Sequence, residues 1–274
     1  MTEIDYLAIG HITQDIIPGG RVTGGTVAYS GRVAAVLGCK TAVVSSAAPD
    51  FDWHAALPTV QVKTVPAAET TTFQNIYTER GRIQYLHGRA NLITVADVPS
   101  TWQRPAIVHL APLANELESD IVSLFKFSLV GITPQGWLRC WDENGRIYPC
   151  TWQAAEQLLP QAGAVILSDE DLPDDAVLAR YRQLAPLLVL TQGAKGCTIF
   201  IADESRHIPS PSVIEVEATG AGDVFAAAFL IRLQQTAGNP WEAARFANQL
   251  AAQSVTQRGL AAKIEHIRNV MGET

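Results

Sequence analysis

Short apolar runs alternate with helix-like segments along most of this chain, and that rhythm constrains the fold more than any other feature. Tyr6-Leu7-Ala8-Ile9-Gly10 reads as a buried strand. Residues 26–38 (TVAYSGRVAAVLG) read as a helix ended by Gly38, a residue type suited to the left-handed turn that closes helices. Thr41–Ser45 is the next strand, and further apolar strand candidates lie at 106–110, 126–130, 164–168 and 187–191. Helix-like segments fall near 151–160 and 174–184, and the C-terminal third reads as three helices over 220–236, 240–257 and 263–270. Apolar strands joined by helices imply an α/β fold with a central, mostly parallel sheet flanked by helices.

Two stretches break the rhythm. Residues 14–24 (QDIIPGGRVTG) and 70–92 (TTTFQNIYTERGRIQYLHGRAN) are rich in Thr, Tyr and Ile and carry turn signals, Thr78-Glu79-Arg80-Gly81 among them. They read as a small β-lid attached to one domain spanning 1–274. A hairpin with Asn144-Gly145 at its turn is expected within 137–152.

Composition excludes several function classes. The 274 residues hold 20 basic and 27 acidic side chains, for a net charge of −7, and no long basic run offers a nucleic-acid or anionic-membrane surface. The longest apolar run, Val224–Ile231, is too short to span a bilayer, and the acidic N-terminus lacks the features of a signal peptide, so a cytoplasmic location is expected. The histidines show no HxxxH or HExxH spacing, which argues against a zinc site. Cys39, Cys140, Cys150 and Cys197 form no CxxC pair and are expected to be reduced thiols, with a Cys140–Cys150 bridge across the hairpin as the alternative.

The chemistry is concentrated in Thr219-Gly220-Ala221-Gly222-Asp223, between a strand-like VIEV segment (213–216) and the apolar helix beginning at Val224. Gly220 and Gly222 permit a tight turn in which backbone N–H groups converge, and the helix adds its positive end, so the loop makes an anion hole. A carboxylate beside a bound anion is repulsive, and general-base chemistry is a reason to keep Asp223 there. A plain helix cap is the structural alternative. No GxxxxGK[ST] occurs, and Phe225 stands where GxGxxG would need its third glycine, so neither a P-loop nor a dinucleotide fingerprint is present.

GAGDVF late in an α/β chain of this size resembles the C-terminal signature of the ribokinase/PfkB family of sugar kinases, and other segments follow in the family's order. Gly24-Gly25 before a helix resembles its N-terminal glycine pair. Asp15 after Gly10 resembles its substrate-binding aspartate. Thr191-Gln192-Gly193-Ala194-Lys195-Gly196 resembles its nucleotide-side turn, and Phe246-Ala247-Asn248 with Val255–Gly259 resembles its adenine wall. The resemblance spans about residues 5–262 and implies a ribokinase-like fold and phosphoryl transfer from ATP, with Mg2+, to a hydroxyl of a small sugar or polyol. It implies Asp223 as base, with Gly220, Ala221 and Gly222 as anion hole. Asp15, Gly24 and Gly25 would hold the acceptor, and Thr191, Gly193, Gly196 and Asn248 the nucleotide.

The departures are informative. Tyr29 stands where many members have a substrate Asn. Glu217-Ala218-Thr219 replaces a common Asp-Thr-Thr tied to a monovalent-cation site. The magnesium-linked NxxE element appears as Ser168-Asp169-Glu170-Asp171, in which Asp171 keeps a carboxylate suited to reaching a metal through water. The run from Gly10 through Asp15 and Gly24-Gly25 to Ile132–Arg139 (ITPQGWLR) is similar to the inositol-kinase branch, which makes myo-inositol the first acceptor to consider.

Asn75, Gln135 and Arg139 are further candidates for substrate contact, Gln135 and Arg139 because they follow a strand end. Arg80 and Arg89 read as solvated lid charge, and Lys195 as an exposed turn residue. Trp137, Trp141 and Trp152 read as packing groups, with walling of a polyol pocket as the alternative. An exposed lid edge could pair with a second copy to give a homodimer, or close over its own site. Nucleoside kinase and catalytically silent sensor are the competing functions, while a dehydrogenase would need the missing fingerprint.

Overall fold

The computed structural model describes residues 4–78 and 81–272. In chain order the first half holds β1 (Tyr6–Ile9), β2 (Thr13–Ile17), β3 (Gly20–Gly24), α1 (Thr26–Val36), β4 (Thr41–Ala47), α2 (Trp53–Ala56), β5 (Gln61–Pro66), β6 (Thr71–Thr78), β7 (Gly81–Gly88), β8 (Ile107–Leu110) and β9 (Leu129–Ile132). The second half holds β10 (Arg139–Trp141), β11 (Ile147–Pro149), α3 (Ala155–Leu158), β12 (Ala164–Ser168), α4 (Asp175–Leu184), β13 (Leu188–Thr191), β14 (Cys197–Ile201), β15 (Glu204–Ile208), α5 (Ala221–Gln235), α6 (Pro240–Ser254) and α7 (Leu260–Gly272).

Nine strands form one sheet in the order β15-β14-β13-β12-β9-β8-β1-β4-β5. Pairing is parallel from β13 to β5, and β14 and β15 close one edge antiparallel. Period-two alternation sorts the side chains: Tyr6 and Ala8 of β1 enter the layer under α1, α5, α6 and α7, whereas Leu7 and Ile9 enter the opposite layer with Trp137, Leu158 and Tyr181. Helix α5 is buried from Val224 to Ile231 because the sheet and neighbouring helices cover it all round.

The stretches 14–24 and 70–92 come together in a second sheet, ordered β3-β2-β6-β7. Two buried groups at its root fix how it leaves the body. One ring nitrogen of His11 lies 2.6 Å from Thr71 Oγ1 and the other 2.8 Å from the Asn91 carbonyl. The Glu116 carboxylate accepts the backbone N–H groups of His11, Leu113 and Ala114. Thr78 and Gly81 pair as the facing ends of β6 and β7, while Glu79 and Arg80 of the expected turn lie outside the described residues.

Several local expectations need correction. VIEV (213–216) is not a strand: the Val216 and Glu217 amides both donate to the Val255 carbonyl, and Ile214 is 86% exposed. The strand pairing goes instead to the upstream β14–β15 hairpin. Cys140 and Cys150 form a disulfide with Cα atoms 5.7 Å apart, closing the β10–β11 hairpin; Cys39 and Cys197 are free thiols. Trp137 and Trp152 stack at 4.9 Å inside the core, and neither lines the cleft. Arg89 is held by the carbonyls of Ala114 and Asn115 and sits over the Trp141 ring.

Gly131 on β9 shows how closely α5 approaches the sheet, because a Cβ there would lie 2.3 Å from Leu230 Cδ1. Gly131→Val should cost about 1–3 kcal/mol through overpacking, read as a lower urea midpoint at unchanged slope. An unchanged midpoint would contradict this packing.

Candidate active site

A cleft of about 750 Å3 opens where the parallel strands end, between the sheet and the lid. Strand ends are where a parallel sheet leaves backbone groups and loops free to meet a ligand. The β9 end supplies Gln135 and Arg139, the β12 end Ser168, Glu170 and Asp171, and the β13 end Thr191 and Gly193. The lid supplies Thr13, Asp15, Phe73, Asn75 and Gln84. The Gly220–Asp223 loop lines the cleft between these groups.

The loop geometry follows from its glycines. Gly220 adopts φ +80°, the left-handed conformation, and a Cβ there would lie 2.2 Å from the Tyr29 ring. The chain thus passes flush against Tyr29 and turns directly into α5. The Ala221 amide donates to the Ala218 carbonyl, so it is spent inside the turn and is unavailable to an anion. That corrects the expectation that Ala221 contributes its N–H to the anion hole. Gly220, Gly222 and Asp223 amides make no backbone hydrogen bond, as expected at a helix start.

Asp223 sits in the first turn of α5 and is partly exposed to the cleft. Thr26, first residue of α1, donates its hydroxyl to Asp223 Oδ1 at 2.7 Å. The two helix starts therefore face each other across one carboxylate. Loss of solvent pushes the Asp223 carboxyl up to about 6; the Thr26 hydrogen bond and Arg139 oppose this, while Asp15 and Asp171 add to it. Burial, then the charge of Asp223, also raises the Tyr29 phenol, keeping it neutral.

The glycine pair has a distinct task. Gly25 holds φ +92° beside the His11 carbonyl, and a Cβ on Gly24 would fall 2.2 Å from Asp15 Oδ2. Gly24 thus lies behind Asp15, making room for its carboxylate, while Gly25 lines the cleft. Asn75 Oδ1 accepts from Gln84 Nε2 at 3.1 Å across β6 and β7. Gln135 Nε2 donates to both Asp171 oxygens at 3.2 and 3.4 Å, and Arg139 lies 3.9 Å from Asp171 Oδ1. Asn248 borders the cleft, yet its amide is turned to the Ile208 and Pro209 carbonyls, so it braces the wall; the expected nucleotide contact would need that amide released. Gly196 has φ +104° with the Ile208 carbonyl against it, which brings the β13 turn up to the same wall.

Among the described residues no three His, Cys, Asp or Glu side chains converge as metal ligands. Asp171, with Glu170 beside it, faces the cleft, and this arrangement suits Mg2+ carried largely by phosphate and water with one nearby carboxylate. Sequence reading missed Thr26, Gln84 and the Ser210–Val213 wall, since a threonine beginning a helix and a Ser/Pro loop carry no signal of their partners.

Comparison with known proteins agrees with this architecture. A pyrophosphate-dependent kinase in the ribokinase family, solved with a pyrophosphate analog and myo-inositol, superposes with a TM-score of 0.81 over 96% of this chain and 99% of that chain. At 21% identity the likeness defines the fold, which is ribokinase-like. Residues 147–267 match the profile of the pfkB family carbohydrate kinases. Probable fructokinase-5 of Arabidopsis thaliana is 32% identical over 45% of this chain and 44% of its own length, so the match spans under half of that relative. Inositol 3-kinase of Oryza sativa subsp. japonica is 27% identical over 95% of this chain and 70% of its own length. No described helix is long and apolar enough to cross a membrane.

The elevated Asp223 carboxyl is directly measurable. Carboxyl 13C titration of the ligand-free protein should place its midpoint at about 6. Thr26→Val should move it higher, because a hydrogen bond to the ionised form is lost. A midpoint near the ordinary aspartate value, or one unmoved by Thr26→Val, would contradict this electrostatic picture.

Proposed function

We propose that this protein is an ATP-dependent kinase transferring the γ-phosphoryl group to a hydroxyl of a polyol or sugar, with myo-inositol the leading acceptor and Asp223 the catalytic base. The observation that carries the reading is the Asp223 carboxylate, set at a helix start between a polar lid pocket and a cleft end with apolar walls. With Oδ1 held by Thr26, Oδ2 is left to take the acceptor's proton. The acceptor oxygen then bonds to the γ-phosphorus as the bond to the β,γ-bridging oxygen breaks, releasing ADP. Charge on the transferring group meets the amides of Gly220 and Gly222 and the start of α5. Asp171, with Glu170, would hold Mg2+ through water, which neutralises phosphate charge when bound.

The cleft lining supports both substrate choices. Asp15, Asn75, Gln84 and Gln135 offer carboxylate and amide groups to several hydroxyls, while Phe73 and Tyr29 offer ring faces to C–H surfaces. Arg139 is the one basic side chain among the described cleft residues. One guanidinium is a poor grip for a sugar phosphate, which carries a second phosphate to be neutralised. It is likewise a poor anchor for pyrophosphate, whose binding must come from charge alone. Val213, Ala251, Ala252 and Val255 give the far end an apolar surface suited to a purine, favouring ATP. The similarity to the rice inositol 3-kinase across nearly the whole chain favours the polyol. Closure of the four-stranded lid over the acceptor would exclude water as a competing nucleophile. The nucleoside-kinase alternative would need a second base pocket at the lid end, where polar groups predominate.

Relative kcat/KM for myo-inositol, ribose, fructose, fructose 1-phosphate and adenosine, each with MgATP and with magnesium pyrophosphate, tests the reading. Myo-inositol with MgATP should be preferred, since a site built for several hydroxyls penalises acceptors that leave its polar groups unpaired. Another acceptor ahead by about tenfold or more would overturn the polyol assignment, and faster turnover with pyrophosphate would overturn the donor assignment.

A further inference from the structure

Lys263 closes the first turn of α7, and its side chain is fully buried. Its ammonium donates to the Glu217 carbonyl at 2.5 Å and the Thr219 carbonyl at 2.8 Å, and stands 3.5 Å from Glu217 Oε2. Those three acceptors match the three N–H groups of an ammonium. Glu217 is itself fixed from the same side, with Oε2 accepting the Gly259 amide and its own amide donating to the Val255 carbonyl. A buried ammonium is costly to keep, and the ordinary accounts of such a group, a carboxylate partner alone or a stem along the surface, do not describe one saturated chiefly by two carbonyls of a single irregular segment.

That segment leads into the phosphate loop. In a trans peptide the C=O and the following N–H point in opposite directions. Drawing the Thr219 carbonyl toward Lys263 therefore turns the Gly220 N–H away from Lys263. Gly220 lines the cleft, and its amide has no backbone partner.

We propose that Lys263 is a positioning residue for phosphoryl transfer, a tethered cation that holds the 217–219 carbonyls so that the Gly220 amide faces the transferring group. The ammonium occupies the oxygen-lined position a small soluble cation would need, so turnover is independent of added monovalent cation. The proposal rests on the kinase reading above, and its test separates the two.

Turnover of the full chain is measured in tetramethylammonium salts, then with NH4+ or K+ added, for the parent, Lys263→Ala and Lys263→Met. The parent should turn over equally in all three. Lys263→Ala should lose about 30-fold or more in kcat in tetramethylammonium with acceptor KM within about threefold, on the scale of losing one aligned donor to the developing charge. NH4+ or K+, small enough for the vacated space, should restore at least about tenfold of that loss, a gain a merely structural lysine would not show. Lys263→Met, which fills the space, should be as slow and not respond. Independently of turnover, amide exchange across residues 217–222 should accelerate in Lys263→Ala and slow again with NH4+. A parent that needs K+, a Lys263→Ala variant within about threefold of the parent, a loss that no small cation repairs, or unchanged exchange would each overturn the proposal. A parent inactive on every acceptor would instead overturn the kinase reading, and the exchange measurement would still decide the role of Lys263.

Discussion

The hydrogen bond from Thr26 to Asp223 is the interaction around which the site is arranged. It joins the first residue of α1 to the first turn of α5, two helices nearly 200 positions apart in sequence that pack on the same face of the sheet. A carboxylate at a helix start, next to a loop that attracts anions, is unfavourable when an anion also binds there unless something fixes which oxygen points where. Thr26 does this for Oδ1. The glycines then follow as geometric necessities. Gly24 leaves space for Asp15, Gly25 bends the chain into α1, and Gly220 brings α5 against Tyr29. The polar lid end and the apolar end of the cleft thereby meet at one carboxyl group.

The electrostatics of the cleft point the same way. Asp15, Asp171 and Asp223 face a common space with Arg139 as the basic side chain among the described lining residues, so Asp223 holds its proton more tightly, chiefly through loss of solvent and further through repulsion by the charges of Asp15 and Asp171. Bound Mg2+ and a hydroxyl-rich acceptor would relieve that repulsion. A site with excess negative charge selects for neutral acceptors and for donors that arrive with a metal ion.

The fold was legible because it follows from periodicity. Tyr6–Ile9, Thr41–Ser45 and 164–168 read as buried strands, and the helix closed by Gly38 ends where that glycine takes φ +85°. Periodicity failed at VIEV, where Ile214 and Val216 are exposed because backbone bonds to Val255 decide its course. The glycine loop was legible as a motif, whereas the loss of the Ala221 amide to the Ala218 carbonyl is set by how the turn closes. Lys263 was invisible because nothing in LAAKIEH announces carbonyl partners 44 and 46 residues earlier. Asn248 and Arg89 illustrate the converse: polar residues that sequence reads as available are taken up by backbone carbonyls.

The central claim is that Asp223 removes the proton from the acceptor hydroxyl. Asp223→Asn keeps an oxygen for the Thr26 hydrogen bond and removes the charge, so it tests chemistry with little change in shape. The account predicts that phosphoryl transfer falls by about 10²–10⁴ while donor affinity changes by less than about threefold. It also predicts that the thermal midpoint at neutral pH does not drop, since an aspartate with a raised pKa is a group whose ionised form the fold disfavours. A well-folded Asp223→Asn protein that turns over within about threefold of the parent would contradict the account.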